Sequence, residues 1–188
     1  HNVTRFADLE FSEFAAQNLG GRGHRAGTIS KWWPAFEGKV PATVDWVARG
    51  ATTPVKNQGM CGSCWAFSAT EQIESDNFLK TGTLVDLAPQ QVTSCDTVSD
   101  GCDGGWTYWA YDYVMSAGGI EAAASYPYVS GTTGETGTCT AVKADEIVQL
   151  SGYNNVSNGA ATEPNMGAAL QDGPLSVCLD ATTFSTYQ

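Results

Sequence analysis

The sequence predicts an α+β protein of two lobes, with helices in the first and strands in the second. Three observations carry that prediction. Helix-forming stretches punctuated by Gly and Pro fall between residues 64 and 115. Two short apolar runs, 147–150 and 175–179, come later and are set apart by Asn, Gly and Ser clusters. The 188 residues are 42% hydrophobic and 11% aromatic, which is globular composition and suits one large domain or two small ones.

Taken in order, residues 1–37 differ from the rest. Phe6, Leu9, Phe11 and Phe14 give an apolar stripe at rough helical spacing, interleaved with Asp8, Glu10 and Glu13. Gly20, Gly21, Gly23 and Gly27 follow, with Arg22 and Arg25 between them, which is linker composition open to proteolysis. From Val40 the chain turns compact. Residues 53–59 form a loop with Pro54 and Gly59. Residues 64–80 predict a helix: Ala66, Ala69, Ile73 and Leu79 lie near one face, no Pro or Gly interrupts, and Gly82 stands as a stop. Pro89-Gln90-Gln91-Val92 opens a short second helix with Pro at its first position. Residues 106–115 make a third, ended by Gly118-Gly119. The strands follow at 147–150 and 175–179. The division is therefore 1–37, 38–126 for the helical lobe and 127–188 for the strand-bearing part, with no internal repeat.

Charge narrows the partners. Nine Lys+Arg against 20 Asp+Glu give 9 − 20 = −11. That balance disfavours nucleic acid, whose phosphates need cations, and anionic membrane surfaces. No apolar run reaches the length of a bilayer span. Six cysteines call for an oxidising compartment, metal binding or thiol chemistry. Asn2-Val3-Thr4 and Asn155-Val156-Ser157 are sequons, which fit a secretory route.

The densest chemical signal is Gln58-Gly59-Met60-Cys61-Gly62-Ser63-Cys64-Trp65-Ala66-Phe67. Cys64 sits where a loop becomes a helix. Backbone N–H groups there lack partners, and the helix dipole sets partial positive charge beside the sulfur. Both favour a thiolate nucleophile. Gly59 and Gly62 leave room for a substrate backbone. The Gln58 amide can point, with the Cys64 N–H, at an oxygen gaining charge on an attacked carbonyl; one such donor is worth about 2.7–4 kcal/mol. Three other readings of these residues stand beside it. Cys61 and Cys64 match the C-x-x-C of a thiol-disulfide oxidoreductase, although no βαβ pattern precedes them. With Cys95 and Cys102 they make a zinc set, although that second pair lacks knuckle spacing. Or they are structural disulfide partners.

Cys61-Gly62-Ser63-Cys64-Trp65 resembles the C-G-[SA]-C-[WY] signature of papain-like cysteine peptidases. Thr53-Pro54-Val55-Lys56-Asn57-Gln58-Gly59, Gly101-Cys102-Asp103-Gly104-Gly105, Tyr126-Pro127-Tyr128 and Gly173-Pro174-Leu175-Ser176-Val177 resemble the same family in collinear order. Arg5-Phe6-Ala7-Asp8-Leu9 with Glu13-Phe14 resembles the end of the inhibitory pro-segment of cathepsin L-like members. The resemblance implies a papain-like two-lobe fold, with the helical lobe complete and the β-rich lobe partly present. It implies Cys64 as nucleophile and Gln58 as oxyanion-hole donor. Gly62, Trp65, Gly104 and Gly105 would line the substrate path, the last two by backbone hydrogen bonds to an extended peptide. Trp106, Thr107 and Cys178 match positions around the main specificity pocket, with core packing as an equal reading for each. Cys178 departs from the commoner small apolar residue there, and Leu87-Ala88-Pro89-Gln90-Gln91 departs from the usual Leu-Ser-Glu-Gln pattern. The family's disulfides would pair Cys61 with Cys102 and Cys95 with Cys139. No metal or organic cofactor is implied. The implied partners are polypeptide substrates and the protein's own pro-segment as inhibitor. The complete protein would be a monomer in a lysosome or vacuole, or outside the cell.

A thiolate nucleophile needs a histidine to pair with it and to protonate the leaving amine. The family places that His and an orienting Asn about 130–150 residues after the Cys. From Cys64 that window begins beyond Gln188, and the two histidines present are His1 and His24. The expectation is therefore a fragment of a longer gene product, inactive alone and poorly stable. A non-catalytic binding or inhibitory protein is the other outcome if Gln188 is the natural end.

Overall fold

The computed structural model describes residues 39–40, 42–156 and 163–179. The stripe of Phe6, Leu9, Phe11 and Phe14, the Gly/Arg linker, both histidines, the sequon at Asn2 and Ser157 of the second sequon lie outside the described residues.

The longest element is helix α1, Cys64–Thr81. Its 18 residues contain neither Pro nor Gly, so nothing breaks the ladder of backbone hydrogen bonds. It stops at Gly82, whose φ of 75° is left-handed and whose N–H donates to the Phe78 carbonyl at 2.7 Å. Helix α2, Pro89–Cys95, starts on a Pro whose missing N–H costs nothing at that position. A 3-10 turn covers Gly101–Asp103, and helix α3 spans Thr107–Ala117, closed by a left-handed Gly118. Trp106, the first residue of the sequence-predicted third helix, is its extended N-cap instead.

These helices form one apolar core. Trp65, Ala66, Ala69 and Ile73 of α1 meet Val92 of α2 and Ala110, Tyr111 and Val114 of α3. The spacing of the four α1 residues puts them on one stripe. Leu79 does not share it: it is 39% exposed at the end of the helix, beside Gly173, where an added Cβ would lie 3.1 Å from Leu79 Cδ1.

The sheet is small. Strand β1, Ile120–Glu121, pairs antiparallel with β2, Glu146–Val148, in the register Ile120↔Val148 and Glu121↔Glu146, with an irregularity between. A second 3-10 turn, Lys143–Asp145, leads into β2, and short helices α4, Ser130–Thr133, and α5, Glu163–Ala169, complete the described elements. The class is α+β, dominated by helix. The expected strand at 147–150 is real but starts one residue earlier and ends at Val148. The expected strand at 175–179 is not a strand among the described residues. Its backbone and side chains bond to side chains of α1 and not to a neighbouring strand. An apolar run signals an extended chain but not what it pairs with.

Disulfides Cys61–Cys102 and Cys95–Cys139 fasten the loops to this core. The first joins the loop before α1 to the 3-10 turn. The second joins the end of α2 to the segment before β2.

Candidate active site

Cys64 is the first residue of α1 and is exposed, while Ser63 before it and Trp65 after it are buried. Alternation of buried and exposed residues holds the backbone firmly and leaves one sulfur at the surface. The first N–H groups of a helix have no partner in its own ladder. Here the amides of Ala66 and Phe67 both reach the Ser63 carbonyl, at 2.9 and 3.1 Å, which leaves the Cys64 amide ahead of the ladder. A serine in this position ordinarily caps the helix with its hydroxyl. Ser63 makes no side-chain cap; its Oγ lies 2.7 Å from the Tyr128 hydroxyl. The helix therefore presents its positive end at Cys64 without a side chain over it.

The loop before α1 is folded back on itself. Gln58 Nε2 donates to the Cys61 carbonyl at 2.8 Å, and Gly59 N–H donates to Asn57 Oδ1 at 2.9 Å. Met60 N–H bonds to the Gly131 carbonyl at 2.8 Å and Gly62 N–H to the Cys102 carbonyl at 2.8 Å. Tyr128 donates its hydroxyl proton to the Gln58 carbonyl at 2.9 Å. Since that proton is committed, Ser63 must be the donor in its bond to Tyr128. One phenol thus ties the Gln58 backbone to the residue before Cys64. Its ring also stands edge-on to Phe67, with centroids 4.7 Å apart. Burial raises the Tyr128 pKa, and the Ser63 hydrogen bond opposes the rise, so the hydroxyl stays protonated.

Glycine is required where two loops touch. Gly59 has φ 63°, and a Cβ there would lie 2.2 Å from the Gly131 carbonyl oxygen. At Gly105 a Cβ would fall 2.6 Å from the Trp65 ring and 2.6 Å from Ser99 Oγ. Gly104 is buried; its N–H reaches the Gly101 carbonyl at 3.3 Å, and its own carbonyl accepts from the Asp100 N–H at 2.8 Å. Trp65 is 4% exposed and lies in the core, with its indole N–H on the Gly101 carbonyl at 3.1 Å. The Trp65 side chain, expected along the substrate path, packs in the core and anchors the 101–105 loop.

Trp106 and Thr107 are half-buried at the start of α3, where the Trp106 ring stacks on Tyr108 at 5.8 Å. Cys178 is an exposed free thiol in the extended segment that crosses α1. Partial burial, and then the charge of Cys64, push its pKa up. Cys178 therefore lies within electrostatic reach of Cys64.

Among the described residues no group of His, Cys, Asp or Glu is arranged to hold a metal. Cys61, Cys95 and Cys102, which a zinc set would need, are all in disulfides. With Cys61 bonded to Cys102, no Cys61/Cys64 dithiol is present for exchange chemistry. Sequence reasoning missed the structural use of Tyr128 and Ser63. The Tyr126-Pro127-Tyr128 motif was visible, but 65 residues separate Tyr128 from Ser63, and no local pattern reports a contact at that separation.

Comparison with known proteins matches this architecture. Residues 40–188 match the model of the papain family cysteine proteases. The chain is 40% identical over 190 residues to "Digestive cysteine proteinase 2" of Homarus americanus, covering 99% of this chain and 57% of that protein. Among solved structures it resembles a recombinant stem bromelain precursor, with TM-score 0.81 and 35% identity over 97% of this chain and 57% of that one. It also resembles digestive procathepsin L 3 of Tenebrio molitor larval midgut, with TM-score 0.76 and 30% identity over 90% of this chain and 53% of that one. The chain belongs to the papain family of cysteine proteases. It spans a little over half the length of these relatives.

Proposed function

We propose that the protein to which these residues belong is a cysteine peptidase that cleaves polypeptides through an acyl-enzyme on Cys64. The observation that carries this is a free, exposed sulfur at the uncapped start of α1, beside a Gln58 loop held in one geometry. In this reading the Cys64 thiolate attacks the scissile carbonyl. The Cys64 N–H and the Gln58 amide stabilise the oxyanion. Gly105 bonds an extended substrate backbone; Gly104, with both backbone groups engaged inside its loop, shapes that strand site, and Gly62 keeps the path open. Trp106, Thr107 and Cys178 border the pocket for the main specificity side chain. The base is a histidine oriented by an asparagine, from chain beyond Gln188.

Residues 1–37 act as the end of an inhibitory pro-segment. Two facts support that. The family model begins at residue 40, whereas the Homarus americanus relative matches 99% of the chain. The solved neighbours include a precursor and a procathepsin. Digestive relatives and two disulfides support a secretory destination, lysosomal, vacuolar or extracellular.

The 188-residue polypeptide alone should not hydrolyse a peptide substrate efficiently, because neither of its histidines falls where the family places the base. The polypeptide translated from the complete transcript should do so, and Cys64→Ser should abolish it. Robust turnover by residues 1–188, or unchanged turnover in the Cys64→Ser form of the longer polypeptide, would overturn the assignment.

A further inference from the structure

Side-chain hydrogen bonds hold Pro174 and Ser176 of the extended segment against α1. Gln72 Nε2 donates to the Pro174 carbonyl at 2.7 Å, and Gln72 Oε1 accepts from the Ser176 N–H. One helical turn earlier, Ser68 Oγ lies 2.6 Å from Ser176 Oγ. Gln72 thus meets both Pro174 and Ser176, and Ser68 meets Ser176, so the segment advances toward the start of α1; beyond the Ser68–Ser176 contact, Cys64 is one turn further back and Cys178 two residues further on.

The two steps match in length. Four helical residues rise about 6 Å, and two extended residues about 6.6 Å. Positions 72, 68 and 64 lie on one helix face, and 174, 176 and 178 on one face of the extended chain. Both steps start from the Ser68–Ser176 contact and run the same way, which brings Cys178 toward Cys64. Both are exposed free thiols, the two free cysteines among the described residues. The raised pKa of Cys178, with the charge of Cys64 among its causes, agrees with that placement.

We propose that Cys64 and Cys178 form a reversible redox pair, in which hydrogen peroxide oxidises the nucleophile and Cys178 resolves it as an intrachain disulfide. The Cys64 thiolate attacks one peroxide oxygen, the O–O bond breaks, and hydroxide leaves, giving a sulfenic acid on Cys64. The Cys178 sulfur then attacks that sulfenic sulfur. The S–O bond breaks as the S–S bond forms, and the oxygen leaves as water with the Cys178 proton. Two thiols are oxidised and one peroxide is reduced to two waters, the hydroxide taking up the proton that Cys64 had released. A small dithiol reverses the step. The link would protect the nucleophile from irreversible oxidation, because Cys64 as sulfenic acid is consumed before it reaches sulfinic acid.

The effect on turnover rests on the peptidase reading; formation of the bond does not, and is measured by mass. The longer polypeptide that carries these residues is treated with hydrogen peroxide, remaining thiols are alkylated in denaturant, and the digest is mapped. The expected result is a Cys64–Cys178 linked peptide that dithiothreitol removes. In Cys178→Ser the link is lost and Cys64 accumulates as sulfinic acid. In the Ser68→Ala and Ser176→Ala double variant, which loosens this contact without touching either thiol, the yield of link falls. Sulfinic acid at Cys64 in the unaltered chain with Cys178 still alkylatable would overturn the proposal, as would a link found only between two chains. A link that forms in a longer polypeptide lacking peptidase activity would leave this proposal standing and remove the peptidase reading.

Discussion

Tyr128 shows how one hydroxyl can set a reactive loop. It donates to the Gln58 carbonyl and accepts from Ser63, so it fixes the backbone on both sides of the Cys61-Gly62 turn. Tyr128→Phe keeps the ring on Phe67 and removes only the oxygen. That leaves a backbone carbonyl and a fully buried Ser63 hydroxyl without this partner, at a cost of about 1–3 kcal/mol. We expect a lower unfolding midpoint and, in the peptide-cleaving polypeptide, a fall in kcat with KM little changed, because the oxyanion donors shift and the substrate path does not. An unaltered midpoint and kcat would show that Ser63 and Gln58 hold themselves. At this scale the free Cys64 at a helix start and the tight turn at Gly59 were legible, because both lie in one contiguous stretch. It did not reveal Tyr128, whose contacts cross the fold, nor that Trp65 faces the core.

At the scale of elements, α1 carries both Cys64 and a buried carboxylate ten residues later. Glu74 is fully buried and accepts from Thr53 Oγ1 at 2.5 Å, from Leu87 N–H at 2.8 Å and from Lys56 Nζ. Lys56 also pairs with Asp86 at 2.7 Å. The helix is thereby tied to the 53–56 loop that leads to Gln58, and to Leu87 in the segment before α2. Removing the cation from a buried pair costs about 3–5 kcal/mol, whereas removing both charges costs far less. We therefore expect Lys56→Met to be severely destabilised and the Lys56→Met/Glu74→Met double variant to recover much of the loss. Equal destabilisation of both forms would refute the pairing.

The same site gives a pH signature. Burial opposes the charge on Lys56, but hydrogen bonds to Asp86 and Glu74 and their Coulomb attraction outweigh it, so its pKa is raised above 10.5. A raised folded value means this stabilisation is complete below 10.5 and disappears as pH climbs through the folded value. The loss of stability in alkali should accordingly be steeper in the unaltered chain than in Lys56→Met; parallel alkaline limbs would contradict it. Elements differed in legibility for similar reasons. The α1 helix was legible because 18 residues without Pro or Gly end on a left-handed Gly82. The segment 175–179 read as a strand because it is a short apolar run, yet Val177 and Leu179 face outward, 50% and 61% exposed, while Ser176 faces α1. The period of a run gives its conformation and leaves its partner open.

Across the whole molecule, a small sheet and short helices depend on cross-links. Cys95–Cys139 closes a separation of 44 residues and Cys61–Cys102 one of 41. In the chain-entropy account each loop of that length is worth about 4 kcal/mol. Cys95→Ala with Cys139→Ala should lower stability by about that amount while leaving the Cys64 loop intact, since the other bridge holds it. An unchanged denaturation midpoint would show that the segment before β2 is held by other contacts. The central claim is that the Cys64 sulfur performs the peptide cleavage. Its most direct test is titration of the peptide-cleaving polypeptide with iodoacetamide, following hydrolysis against the fraction of Cys64 alkylated. Activity should fall in proportion and vanish when Cys64 is fully modified; hydrolysis that persists at complete modification of Cys64 would contradict the account.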